Sequence, residues 1–292
     1  MNPLAFRIVN VFAESPLAGN PLAVFEDARG VDERTMQALA LQFNLSETTF
    51  VLPSDVATAK VRIFTPSFEM PFAGHPTLGT ATAIRQLLPE YANAETITLD
   101  LNAGQIPVSF PHEPGTPANA TFAEMRQLDP TFGATHDAAA VAPLLGLCAE
   151  DLAEAAPQTV STGTAFCIVV LRSVEALGRL RVDAVASVPY LRDSGARFFY
   201  ALAPEAEGLW RARMQFYGGE DPATGSAAGC AIAYLVLHGL WPSGKRLHLR
   251  QGIEISRPSD LYLSANLSGE TVSEIRVAGS TVPVAMGRFF LA

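Results

Sequence analysis

The sequence predicts a mixed α/β protein built from two similar lobes, each a sheet curled around one central helix. Three observations carry this reading. Two segments of helix length, Thr77 to Leu88 and Ser226 to Leu240, have almost no polar face, and a helix apolar on nearly all sides must be buried on nearly all sides. Each follows a turn rich in Gly and Pro and is accompanied by strand-like runs. The two turns also echo one another. Glu69-Met70-Pro71-Phe72-Ala73-Gly74 and Glu220-Asp221-Pro222-Ala223-Thr224-Gly225 both read E-x-P-x-x-G at the same distance from a buried helix, the mark of an internal duplication.

The bulk properties agree. A chain of 292 residues, 49% apolar and 17% charged, can bury two sizeable cores. Along it, Phe6 to Phe12 alternates polar and apolar residues, and Ser15-Pro16 and Gly19-Asn20-Pro21 turn the chain into a second apolar run, Leu22 to Phe25. This predicts strand, turn, strand. From Asp32 to Gln42 the pattern is helical, with Asp32 as N-cap and Met36, Leu39, Ala40 and Phe43 along one face. Asn44 to Pro53 then passes from a loop into a short β-prone run. Pro111 to Ala120, with three prolines, a glycine and no apolar run, is the expected linker. The strand-like Thr281 to Leu291 is expected to return to the first lobe. The lobes are therefore predicted at 1–115 with 281–292, and at 118–280.

A net charge of −9 and a pI near 5.1, with Lys and Arg scattered, argue against a nucleic-acid partner. No signal peptide and no apolar stretch of membrane-spanning length is evident. Cys148, Cys167 and Cys230 are odd in number and lack a C-x-x-C motif, which predicts reduced core thiols in a cytoplasmic protein.

Chemistry is expected at the two turns. Gly74-His75-Pro76 and Gly225-Ser226 lie at the heads of the buried helices, where unpaired amides and the positive end of the helix dipole favour an anion. If the lobes face each other, both helix ends address one small carboxylate without any Lys or Arg. His75 can exchange a proton, Asp221 can orient or polarise it, and Ser226 can donate to an oxyanion. The bland alternatives are a satisfied polar histidine, a turn-forming aspartate and a helix-capping serine. Glu47, within Ser46-Glu47-Thr48-Thr49, is a fourth candidate, its alternative being an exposed loop carboxylate.

Four blocks, Val9 to Phe25, Asn44 to Pro53, Phe64 to Ala81 and Gly218 to Gly229, look like the signature segments of the PhzF-like family, in the family's order. The resemblance implies the two-lobed diaminopimelate-epimerase fold and a site at the lobe interface. It also implies no metal or organic cofactor, and commonly a homodimer. It places the family's acid/base glutamate on Glu47, its histidine on His75, and its aspartate and serine on Asp221 and Ser226. Gly74 and Gly225 would supply backbone contacts to the substrate. The family's characterised reaction isomerises trans-2,3-dihydro-3-hydroxyanthranilate by moving a proton across a conjugated ring.

Three rival readings are weaker. Epimerases and racemases of the same superfamily use two cysteines ahead of the central helices, but Ala73 and Thr224 stand there. A serine hydrolase would use Ser226, His75 and Asp221, yet the G-x-S-x-G elbow is broken by Thr224. A non-catalytic binding role is compatible with the fold but does not call for all four chemical side chains. The five histidines form no ligand-spaced pair, and no phosphate-binding glycine loop is present, so neither metal nor nucleotide is expected.

Overall fold

The computed structural model describes residues 3–216 and 219–291. Gly218, the first residue of the fourth signature block, lies outside them. The chain divides into two units, Met1–Arg126 with Ala278–Ala292, and Gln127–Val277.

In unit 1 the elements are β1 (Leu4–Val11), β2 (Asn20–Phe25), α1 (Glu33–Phe43), β3 (Glu47–Leu52), β4 (Ala59–Phe64), β5 (Glu69–Met70), α2 (Gly74–Leu87), β6 (Thr96–Leu101), β7 (Gly104–Ser109) and β8 (Thr121–Arg126). The strands follow the order β1-β2-β3-β4-β6-β7-β8, and the C-terminal strand Thr271–Phe289 pairs with both β8 and β1, closing an eight-stranded barrel. Helix α2 packs against β1, β2, β3, β6, β7 and β8, and every residue from Gly74 to Ile84 is buried. Gly79 permits this fit, since a Cβ there would stand 2.7 Å from both Leu22 Cδ2 and Val11 Cγ2. Outside the barrel, α1 starts at Asp32, whose carboxylate accepts from the Thr35 amide at 2.8 Å. Its Met36, Leu39 and Ala40 cover a cluster in which Phe25 and Phe50 stack with centroids 4.9 Å apart.

Unit 2 contains β9 (Thr131–Thr135), α3 (Ala138–Leu144), β10 (Gln158–Ser161), β11 (Ala165–Val170), α4 (Val174–Arg179), α5 (Ala184–Asp193), β12 (Phe198–Ala206), β13 (Leu209–Arg213), β14 (Gln215–Phe216), β15 (Gly219–Glu220), α6 (Gly225–Leu237), β16 (Leu247–Gln251), β17 (Ser259–Ser268) and β18, the strand Thr271–Phe289. Its sheet runs β18-β17-β16-β13-β12-β11-β10-β9. Helix α6, buried from Gly225 to Val236, packs against β17, β10 and β11. The duplicated sheet-around-helix plan is therefore realised in both units.

Three details differ from the sequence-based expectations. The chain passes between units at Arg126/Gln127, not in the segment 111–120, because β8 pairs antiparallel with β7 (Val108↔Met125) and so stays in unit 1. It returns at Val277/Ala278, within the single long strand β18. Both central helices begin at the turn glycines, which puts His75 and Ser226 inside the first helical turn. Cys167 and Cys230 are buried free thiols, but Cys148 is exposed, its Sγ 3.1 Å from Asp151 Oδ2.

Candidate active site

Glu47 opens β3, which pairs parallel with β2 in the register Leu22↔Glu47. That register puts Glu47 on the sheet face of Leu22, the face that lies against Gly79 of α2. His75 is the second residue of α2 and only 3% exposed. Residues 28 positions apart in sequence thus meet, with Glu47 Oε2 3.4 Å from His75 Nε2.

The other ring nitrogen, Nδ1, lies 3.2 Å from Nδ2 of the fully buried Asn20. Nε2 is the nitrogen that faces Glu47. Complete burial pushes the imidazole pKa from 6.5 down to about 3, opposed only in part by a hydrogen bond to the Pro21 carbonyl. The Glu47 contact has the separation of an ion pair, yet no well-aligned hydrogen bond to Nε2 accompanies it. Desolvation therefore prevails and His75 is neutral at physiological pH. It does not exchange protons with water near neutrality as a free histidine would.

In unit 2, Asp221 and Thr224 belong to the turn that precedes α6. Thr224 Oγ1 donates to Asp221 Oδ2 at 2.7 Å. Gln251, fully buried at the end of β16, organises this turn. Its Nε2 donates to the Asp221 carbonyl at 2.8 Å and to Thr224 Oγ1 at 3.0 Å, while its Oε1 accepts from the Thr224 amide at 3.1 Å and from Tyr200 Oη at 2.9 Å. Behind the turn, Gln127 Nε2 donates to the Gly225 carbonyl at 2.9 Å, and Thr162 Oγ1 donates to Gln127 Oε1 at 2.6 Å. Buried amide side chains with all their partners fix a turn more rigidly than solvated loops do.

The two helix starts share one feature. The N-cap residues are Ala73 and Thr224, and neither makes a side-chain capping bond. Alanine has no group to offer, and the threonine hydroxyl is turned towards Asp221 and Gln251. Ser226, 5% exposed, is the second helical residue and not the cap. First-turn amides at Gly74 and His75, and at Gly225 and Ser226, therefore retain the donor character that attracts a carboxylate. Neither N-cap position carries a thiol, as two-cysteine racemisation would require. Among the described residues no group of three or more His, Cys, Asp or Glu is placed to hold a metal ion. Nor, among them, is any helix long and apolar enough to cross a membrane.

Of the six residues singled out from sequence, Glu47, Gly74 and His75 gather in unit 1, and Asp221, Gly225 and Ser226 in unit 2. Sequence reasoning missed Asn20, read only as a turn former, and Gln251, which stands in no motif. It read Thr224 only by what is missing there, a cysteine and the first glycine of a G-x-S-x-G elbow.

The comparisons with known proteins converge. The model of the phenazine biosynthesis-like protein family (PhzC-PhzF) matches residues 9–287. The chain is 36% identical to a trans-2,3-dihydro-3-hydroxyanthranilate isomerase of Pseudomonas aeruginosa over 292 residues, covering 98% of this chain and 99% of the relative. Among solved structures it resembles a predicted epimerase from Pseudomonas aeruginosa, with a TM-score of 0.85, 34% identity, and coverage of 99% of this chain and 100% of the other. A phenazine biosynthesis protein of the PhzF family from Bacillus anthracis superposes with a TM-score of 0.87 at 26% identity, both chains being covered in full. With the family match spanning nearly the whole chain, and the barrel-around-helix plan in place, this protein belongs to the phenazine biosynthesis-like (PhzF) family.

Proposed function

We propose that the protein is an isomerase that moves a proton between carbons of a small unsaturated carboxylate, resembling trans-2,3-dihydro-3-hydroxyanthranilate, by acid–base catalysis. The observation that carries this is the Glu47 carboxylate facing a buried, neutral His75 at 3.4 Å. Glu47 takes a proton from a carbon adjacent to the unsaturated system, and the electron pair delocalises towards the substrate carboxylate. The carboxyl proton exchanges with solvent, and the same group then delivers a proton at the far carbon. One C–H bond breaks and one forms, so the step balances within the substrate without any change of oxidation state.

His75, being neutral, serves by hydrogen bonding at Nε2 and not as a cationic acid. Asp221 and Ser226 are assigned to proton relay and to holding the ligand, and the uncapped amides at Gly74 and Gly225 to binding its carboxylate. The relative named for this isomerisation supports the reaction class. The reading also takes the enzyme to be cytoplasmic, from its cysteine usage, and a homodimer, as the family resemblance implies; light scattering on the purified protein tests the dimer.

The reaction is tested by incubating the protein with trans-2,3-dihydro-3-hydroxyanthranilate in D₂O. The expected result is isomerised product whose new C–H position carries deuterium. Unchanged substrate, with no deuterium in any C–H position, would refute the assignment.

A further inference from the structure

The E-x-P-x-x-G echo extends further back than the turns. Seven residues before Glu69 stands Arg62, and seven before Glu220 stands Arg213, so the repeated unit is R-x₆-E-x-P-x-x-G. In the structure both arginines close on their glutamates in the same way. Arg62 Nε and Nη2 reach the two Glu69 oxygens at 2.7 and 2.5 Å. Arg213 Nε and Nη2 reach the two Glu220 oxygens at 2.8 and 2.6 Å. In each unit the glutamate belongs to a two-residue strand, β5 or β15, immediately ahead of the turn that heads the buried helix.

Each clamp is also tied to a neighbouring element. Arg62 Nη2 reaches Glu33 Oε2 of α1 at 2.8 Å, and Asn102 Nδ2 donates to Glu69 Oε1 at 3.0 Å. Arg213 Nη1 donates to the Leu177 carbonyl of α4 at 3.0 Å, and Gln215 Nε2 donates to Glu220 Oε2 at 3.0 Å. The Arg213–Glu220 pair is nearly dry, with side chains 4% and 7% exposed. A buried ion pair adds little net stability over an apolar substitute of similar volume, so stability does not explain this arrangement. What the two-pronged geometry supplies is direction, because a guanidinium fork fixes a carboxylate in plane and in register.

We propose that Arg62–Glu69 and Arg213–Glu220 are duplicated positioning clamps for the isomerase reaction, setting the turns from which His75 and from which Asp221 and Ser226 are presented. None of the four is assigned contact with substrate; they act through the turns. In unit 2 the lever arm is one residue, since Asp221 directly follows Glu220 and its amide donates to the Met214 carbonyl at 2.9 Å, next to Arg213. In unit 1 the clamp fixes the strand end that leads through Pro71, whose carbonyl accepts from the Ala103 amide at 3.1 Å, into Gly74 and His75.

The proposal rests on the isomerase reading, and the test keeps the two apart. Paired variants, Arg213→Met with Glu220→Gln and Arg62→Met with Glu69→Gln, remove both partners so that no buried charge is stranded. Two readouts are taken on folded protein: kcat and KM with trans-2,3-dihydro-3-hydroxyanthranilate, and hydrogen exchange of individual amides. Each paired variant is expected to lose at least about tenfold in kcat, with KM changed far less, because small misplacements of catalytic groups cost rate before affinity. Exchange at the Asp221, Thr224 and Ala228 amides, or at Thr77 and Ala103 in the unit 1 variant, is expected to quicken by about tenfold or more while amides deep in the helices do not change. Parent-like kcat in a folded paired variant overturns the proposal, even if exchange quickens, since the pair would then be structural only. If the parent itself shows no turnover, the isomerase reading fails, and unchanged exchange would then overturn the clamps separately.

Discussion

Lowering the pH from 7.5 to 4.5 should destabilise the parent protein more steeply than a His75→Gln variant, because the folded state holds His75 neutral. In the unfolded chain the imidazole takes up a proton near pH 6.5, whereas in the folded chain burial delays this to about pH 3. Between those values the unfolded state binds one proton more than the native state, so stability falls as pH falls. Above pH 6.5 both states are neutral and the residue contributes no pH dependence. At 1.36 kcal/mol per pH unit, the part of this window between pH 6.5 and 4.5 corresponds to a loss of about 2–3 kcal/mol, most of it free of carboxylate titration. His136 and His238 are also shifted down by burial and act in the same window, so the quantity to read is the difference between parent and variant. Urea unfolding midpoints at pH 7.5, 6.5, 5.5 and 4.5 supply it. The parent should converge on the variant as pH falls, and the His75 ring signals in an NMR titration should not move above pH 5. Parallel midpoints for the two proteins, or a ring titrating near 6.5 in the native state, would refute the reasoning.

Two further substitutions test the scaffold of unit 2. Gln251→Leu removes the four hydrogen bonds through which Gln251 holds Tyr200, Asp221 and Thr224 and leaves the Thr224–Asp221 side-chain bond; a loss of about 2–4 kcal/mol is expected, read as a lower thermal midpoint together with reduced turnover. Gly229→Ala would put a Cβ 1.9 Å from Gln127 Oε1 and 2.6 Å from its Cδ. The Gln127 side chain would have to leave the Gly225 carbonyl and Thr162, costing about 1–3 kcal/mol by the same thermal assay, whereas a parent-like midpoint would show that the contact relaxes freely.

Much of this was legible in the sequence, for a physical reason. Helices α2 and α6 lack a polar face, so their central burial follows from composition alone, and the glycines at their first positions mark where they start. Glu47 and His75 were legible through motif blocks, but their meeting depends on the parallel register Leu22↔Glu47, a long-range pairing that no local pattern encodes. Asn20 looked like a turn residue because its backbone role is local and its contact with His75 is not. Gln251 stands alone in a strand and gains its role only when β16 is laid against β13. The neutrality of His75 likewise arises from enclosure by the folded chain, which motif spacing does not report. The clamps left a signal that could have been read, since the 151-residue offset that relates Glu69 to Glu220 also relates Arg62 to Arg213. The unit boundary was misplaced because a run of Pro and Gly marks a loop, and here that loop connects two strands of one barrel, β7 and β8.

Glu47 is the group proposed to carry the proton, and its replacement tests the reaction most directly. Glu47→Gln preserves the size and hydrogen-bonding shape of the side chain while removing its ability to accept a proton at neutral pH. Deuterium incorporation from D₂O into trans-2,3-dihydro-3-hydroxyanthranilate product should fall by about 10²–10⁴-fold, the usual range for losing a general acid–base group, with the thermal midpoint little changed. A folded Glu47→Gln protein that still incorporates deuterium at near the parent rate would contradict the assignment.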